Sequence, residues 1–381
     1  MRIIPIGVLA LLLVCLNSSC NHPETEPSSF VATLGTDTLV IEQFDIMPGR
    51  VDAEVVVRTP VTLYSRQQLI LDGKQNFSSF TSETYKAEDL DGVPIEQLKI
   101  AIVGDSLQIT RQRDTLTQKS TIRYDPGILP WFDMVHWPYE VATRRMVAAN
   151  EYERDQLMLA GNNPGIFEFR RISANSISIK HPFRGTMYAR IDDKGAILSY
   201  DATATTRKLL VSRGGSQDMR ALASKYAGKS IGSLSGEGLT EAMIHGANIR
   251  ISFGQPSQRG RELFGGIVPW NELWRTGANR ATHFRTDQKL KFGELELPAG
   301  EYTLYSIPAP GGGTLIINSQ TGQNGNTYDV SLDFGRVPMV LKTSPDHVEQ
   351  FSIDVIERGE YGVLRLRWGN TVFEVEFTVV P

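Results

Sequence analysis

Trp270 and Trp274 stand four residues apart in VPWNELWRTGANRATHFRT (268–286), and Arg275, Thr276, Gly277, Ala278 and Asn279 follow at once. If PWNELW forms a helical turn started by Pro269, the two indoles share a face. Arg275 and, upstream, Arg261 carry planar forks that match a carboxylate or a phosphate; Thr276 and Asn279 add hydroxyl and amide groups. Aromatic faces beside directed donors suit carbohydrate or anionic-polymer binding, through stacking plus hydrogen bonds. A second reading is equally physical. An arginine beside tryptophan at the end of a β-structure can satisfy backbone carbonyls while stacking on the ring, with Gly277 supplying a positive-φ turn. The candidate ligand site is therefore Arg261, Trp270, Trp274, Arg275, Thr276 and Asn279. The direction of Arg275, into a pocket or into carbonyls, decides between the readings.

Other chemistry has little to stand on. GSLSG at 232–236 places Leu234 where a nucleophile elbow needs serine. No Walker loop occurs, and no dinucleotide fingerprint follows a strand. The six histidines, His22, His136, His181, His245, His283 and His347, never fall at metal-ligand spacing. Asp133, His136 and Glu140 are near in sequence, but a helix start between them favours packing or surface roles over a metal. Glycosidic chemistry needs two acids across a cleft at about 5–9 Å. Glu262, Glu272, Asp287, Asp329 and Asp333 are available, and the sequence singles out no pair. No catalytic residue, metal or cofactor is expected.

The chain has 381 residues, too many for one ordinary core, which suggests two domains. Its formal net charge is -4, with basic residues scattered among acidic ones, and nucleic acid is not an expected partner. The N-terminus, MRIIPIGVLALLLVCLNSSC, has one Arg and then an apolar stretch from Ile3 to Leu16. That stretch is shorter than the ~18 residues that span a bilayer and fits a secretory signal. Both cysteines, Cys15 and Cys20, lie here, so the body has neither disulfides nor thiol chemistry. Cys20 after the apolar stretch resembles the lipid-acceptor cysteine of bacterial lipoproteins, although Asn17 stands where that motif usually has Leu. The expected order is a signal peptide at 1–19, a polar linker at 20–28 and domains at 29–235 and 238–381. Membrane attachment would be through the lipid, in the cell envelope, facing the periplasm or the exterior.

Positioning falls to β-structure. VDAEVVVRT, VTLYSRQQLIL, EQLKIAIV, DSLQITRQ and TLTQKSTIRY alternate with period two between Gly, Asp and Pro turns. YARIDDKGAILSY reads as a hairpin about Asp193, Lys194 and Gly195. Helices are expected in HWPYEVATRRMVAAN, with Pro138 in the first turn, and in SQDMRALASKYAG. Near the C-terminus, VLRLRWGNTVFEVEFTVV reads as a hairpin turning at Gly369-Asn370. The fold class is mainly β: an N-terminal antiparallel curved sheet with one or two helices, and a C-terminal β-sandwich or jelly-roll-like domain. The curved sheet either packs as plain core or leaves a groove for an apolar ligand.

ISFGQPSQRGRELFGGIVPWNELWRTGANRATHFRT, followed by LPAGEYTLYSIP, TGQNGNTYD and VEQFSIDV, resembles the bacterial domain-of-unknown-function 2911 family over about 248–381. The resemblance implies export and a β-rich fold, and it carries no activity or site residues. An aromatic often follows TGQ in that family, where this chain has Asn324. The leading expectation is a non-enzymatic envelope lipoprotein that binds a polar ligand, such as a glycan, at Trp270–Asn279. The alternatives are a hydrolase with paired carboxylates and an apolar-ligand carrier.

Overall fold

The computed structural model describes residues 28–380. The signal segment, Cys20 and nearly all of the polar linker lie outside the described residues.

Fifteen strands between Ser28 and Gly214 form one open sheet. Pairing is antiparallel except at one edge, where Leu129–Trp131 runs parallel to Glu153–Ala160. The first strand, Ser28–Leu34, lies in the middle, paired with Asp37–Met47 on one side and Leu209–Gly214 on the other. Seven strands meander out from it to Leu116–Arg123, and seven more return from the Leu129–Trp131 edge. Laid flat, fifteen strands would span roughly 70 Å. Instead, buried side chains from nearly every strand join one cluster with a single 12-residue helix, α1 (Trp137–Ala148), which is only about 18 Å long. Wide antiparallel sheets curl when their twist accumulates, and this one curls around α1.

Helix α1 starts as expected, with Pro138 in its first turn. Its exposed N–H groups meet Glu42, a fully buried carboxylate on the second strand. Glu42 accepts from the backbone N of His136 (2.8 Å) and of Trp137 (2.9 Å), and its Oε1 lies 2.7 Å from His136 Nδ1. Residues 137–143 are all buried, so the helix is enclosed and does not merely present a stripe. Of the two readings of the curved sheet, the packed core is the one its buried side chains support. Trp137, Tyr139 and Met146 fill the concave face against Phe30, Phe44, Phe80, Phe167 and Phe169. Helix α2 (Met219–Tyr226), capped by Asp218 accepting from Ala221 N at 2.9 Å, covers part of the opposite face. There Met219 and Ala223 pack on Ile41, Val56, Tyr64 and Tyr85.

A separate nine-stranded sheet runs from Ser235 to Val380 around its own core. Across it the strands follow the order Ser235–Ile244, Ala247–Pro256, Thr282–Thr286, Gly300–Ala309, Gly312–Asn318, Asp333–Arg358, Tyr361–Val380, Lys289–Phe292 and Leu295–Leu297. The hairpin expected at Gly369-Asn370 is corrected: Tyr361–Val380 continues through it as one strand, and the chain reverses at 359–360 instead. Gly369 has φ +60, and the facing strand slips register on both sides of Val348. The positive φ therefore sits opposite a bulge whose extra residues lie on the facing strand, and the chain does not reverse there.

The two sheets are tied together. The linker after α2 is held by Arg58, whose carbonyl accepts from Ile231 N (2.8 Å), and by Thr59 Oγ1 donating to Gly232 O (2.7 Å). The turn after the first strand docks on the 257–261 loop, where Thr36 N donates to Arg259 O (3.1 Å) and Arg259 pairs with Asp37.

Candidate site: a cationic cleft between the two sheets

A cleft of about 910 Å³ opens between the sheets, and a second lobe of about 560 Å³ continues from it. Arg184, Thr206, Arg207, Arg275, Asn279 and Asn326 line both lobes, so the two form one space.

The 268–279 segment reaches this cleft from the second sheet. PWNELW forms no helical turn; it is a loop pinned edge-on to the Gly300–Ala309 strand. Asn271 N donates to Pro308 O (2.7 Å), while Trp274 and Ser306 exchange backbone hydrogen bonds of 2.7 and 2.8 Å. Trp274 stacks on Trp368 (6.1 Å, 14°) and meets Phe351 edge-on (5.0 Å), whereas Trp270 tilts against Phe264 (5.5 Å). Trp270 and Trp274 are thus mainly scaffold, and of the two only Trp274 lines the cleft. Thr276 is fully buried with φ +53, a conformation that costs a β-branched residue about 1–3 kcal/mol. It is held by its hydroxyl donating to Ser306 Oγ (2.9 Å) and its carbonyl accepting from Thr282 Oγ1 (2.7 Å). Beside it the loop crosses Gly254, where a Cβ would lie 1.9 Å from Ala278 O; no other residue fits. Thr276 therefore aims its neighbour and does not face the cleft.

That neighbour is Arg275. It lines both lobes, donates from Nη1 to Asn326 Oδ1 (2.8 Å) and makes one long bond to a carbonyl, Gly277 O (3.4 Å). No carboxylate lies within 4.0 Å of its guanidinium among the described residues. Burial lowers its pKa, and no acidic neighbour offsets that. Arg261 behaves oppositely: at the cleft margin it gives Nε to Gln258 O (3.0 Å) and Nη2 to Ser257 O (2.7 Å), the carbonyl-satisfying role. Asn279, exposed with φ +63, lines both lobes.

The opposite wall comes from the first sheet, and sequence reasoning missed it. Arg184 and Arg207 share one carboxylate, Asp133: Arg184 Nη2 approaches Oδ2 at 3.1 Å and Arg207 Nε donates to Oδ1 at 3.2 Å. Lys208 has φ +53 and finds only Thr203 O, at 3.4 Å. Its pKa is lowered by burial first and then by Arg261 and Arg275, so it senses the other sheet's guanidiniums across the cleft. With Arg280, the described residues lining the two lobes include six cations and one carboxylate, in a chain whose net charge is -4.

The second lobe adds aromatic surface. Phe183 is 82% exposed, and Trp131, Phe167 and His181 line the space behind it. His181 Nδ1 accepts from Phe183 N at 3.0 Å. Burial, aided by Arg184, pushes the pKa of His181 down to about 4, so the ring is neutral at neutral pH. Asn324, at the position where the resembled family often has an aromatic, also lines this lobe.

The other candidates do not converge. Asp133, His136 and Glu140 are held by different partners: two arginines, Glu42, and Arg144 with Arg213. Of Glu262, Glu272, Asp287, Asp329 and Asp333, none lines either lobe. Asp287 caps Asn248, Asp329 caps Ser331, and Asp333 pairs with Arg336.

Residues 235–377 match the model of the family described as "Protein of unknown function (DUF2911)". The match starts ahead of the motifs that carry the resemblance and takes in the first strand of the second sheet. No curated protein matches the chain. Among solved structures, it is similar to a DUF1089 family protein from Pseudomonas aeruginosa, at 11% identity over 44% of this chain and 91% of that one, TM-score 0.30. It is also similar to a β-barrel-like protein of the DUF1849 domain from Brucella abortus, at 7% identity over 50% of this chain and 96% of that one, TM-score 0.32.

Proposed function

We propose, for a chain whose residues 235–377 make up a DUF2911 domain, an exported and lipid-anchored binding protein that holds a polar ligand in the cleft between its two sheets. The observation that carries this reading is Arg275: a half-buried guanidinium lining the cleft, bonded to one side-chain amide and one distant carbonyl, with no carboxylate to neutralise it. Holding a desolvated cation without a counter-charge is unfavourable, and a polar or anionic ligand in the cleft would offset that cost. Backbone strain concentrates here as well, since Met134, Lys208 and Asn279 line the cleft with positive φ. Binding, not hydrolysis, fits the side chains present, because among the described residues Asp133 is the one carboxylate lining the cleft and it is engaged by two arginines.

The test is a glycan array and thermal-shift screen of the parent protein and Arg275→Ala. The expected result is a set of responses that the variant loses while its melting curve keeps its shape. A parent without any response, joined to a large melting loss in the variant, would leave Arg275 a scaffold residue. The anchor is tested separately: Cys20→Ser should abolish incorporation of radiolabelled palmitate, and an unlabelled parent would refute lipidation.

A further inference from the structure

We infer that the ligand is an acidic saccharide, a short sugar chain bearing carboxylate, sulfate or phosphate groups, gripped by cations from both sheets at once; this rests on the polar-ligand reading above. Two features separate that class from a neutral glycan. First, the charge is two-sided. Lys208 comes from the first sheet and Arg275 from the second, neither has a carboxylate within 4.0 Å among the described residues, and both line the main lobe. Like charges held together lose stability unless an anion lies between them, and a ligand with at least two acidic groups offsets both. A neutral sugar leaves the repulsion in place. Second, Arg184 and Arg207 already share Asp133, so they add one further unit of uncompensated positive charge to the wall that both lobes have in common.

The saccharide part of the assignment rests on what surrounds the cations. A small inorganic anion would leave most of a 910 Å³ cleft and its 560 Å³ extension empty, a size suited to a ligand of several rings. The extension offers the exposed ring of Phe183 for a sugar face, and Asn279 and Asn326 flank Arg275 as amides able both to donate to and accept from hydroxyls. Rings and amides beside paired cations suit a chain of sugars with acidic groups spaced along it.

Titration calorimetry of the purified protein with hexagalacturonate, a heparin-derived hexasaccharide, a phosphorylated oligosaccharide, the neutral maltohexaose and inorganic phosphate tests this. Expected is binding of at least one acidic oligosaccharide, with maltohexaose and phosphate at least tenfold weaker. Arg275→Gln and Lys208→Gln should each cost about tenfold, and affinity should fall as salt is raised. Which acidic probe wins identifies the anionic group. Equal binding of maltohexaose overturns the acidic class and leaves the polar-ligand reading intact. Binding of phosphate as tight as that of every oligosaccharide overturns the saccharide assignment, leaving an anion site. No binding by any probe, with both variants folded by circular dichroism, overturns this inference; if the glycan array is silent too, the parent reading falls with it. A loss on Arg275→Gln without one on Lys208→Gln overturns the two-sided grip.

Discussion

Arg275 Nη1 donates to Asn326 Oδ1 at 2.8 Å, and both side chains wall the same cleft. This bond is the guanidinium's only short one, so removing the side chain deletes one hydrogen bond and one desolvated charge together. The losses and gains are of similar size, a net hydrogen bond being worth about 1 kcal/mol. Arg275→Ala should therefore change unfolding stability by less than about 1.5 kcal/mol in a urea melt. A larger loss would mean that the side chain supports the loop.

Trp274 is the contrast. It packs on Trp368, Phe351 and Phe264 and also lines the cleft. Trp274→Ala should cost about 3–5 kcal/mol in chemical denaturation. Trp270→Ala, whose ring contact is Phe264 alone, should cost markedly less. Equal costs would contradict the difference in packing.

Asp37 pairs with Arg259, whose side chain is 10% exposed and whose Nε is buried without a partner. Asp37→Ala leaves that guanidinium unpaired at the junction of the two sheets and should cost about 2 kcal/mol. It should also loosen their coupling. Unfolding followed by tryptophan fluorescence and by circular dichroism should separate into two transitions. Coincident curves for the variant would show that the junction does not depend on this pair.

Glu374 is held down to a pKa of about 2 from 4.5, chiefly by the hydrogen bond from Arg358 and then by Lys342. A depressed carboxylate contributes its stability above the unfolded value and loses it as pH falls through the folded one. That places the loss between about 4.5 and 2. With Arg358 and Lys342 40% and 47% exposed, solvent screening limits the contribution to roughly 1–2 kcal/mol. Glu374→Gln should flatten the acid limb of the melting temperature by that amount, and an unchanged limb would assign acid sensitivity elsewhere.

The alternation of VDAEVVVRT or EQLKIAIV was enough to read strands, because a residue's face in a sheet depends on its own parity. Pro138 likewise announced the start of the first helix, and the second lies within SQDMRALASKYAG as expected. Gly369-Asn370 misled because a glycine between two alternating runs gives the same local signal whether the chain reverses or bulges; the partner's slip about Val348 decides, and it is remote in sequence. The cleft was half legible. Arg275 stood out beside the tryptophans. Arg184, Arg207 and Lys208 sit in unremarkable segments, and only the docking of one sheet on the other brings them opposite Arg275. The filled concave face was one of two readings that alternation allowed, and choosing it needed the packing of α1 against strands that lie far from it in sequence.

Every neighbouring pair in the fifteen-stranded sheet is also consecutive along the chain, save one: Ser28–Leu34 beside Leu209–Gly214. Ser29 Oγ reaches across that seam to Gly215 O at 2.7 Å, over 186 residues. Apart from the parallel crossover through α1, both meanders can zip up hairpin by hairpin, so the longest-range entropy of the domain, roughly 4–5 kcal/mol for a loop of that length, falls on a single closure. The first strand is consequently a clasp. Without it each half would keep its internal ladders yet present a bare edge, and the shell around α1 would part along one line.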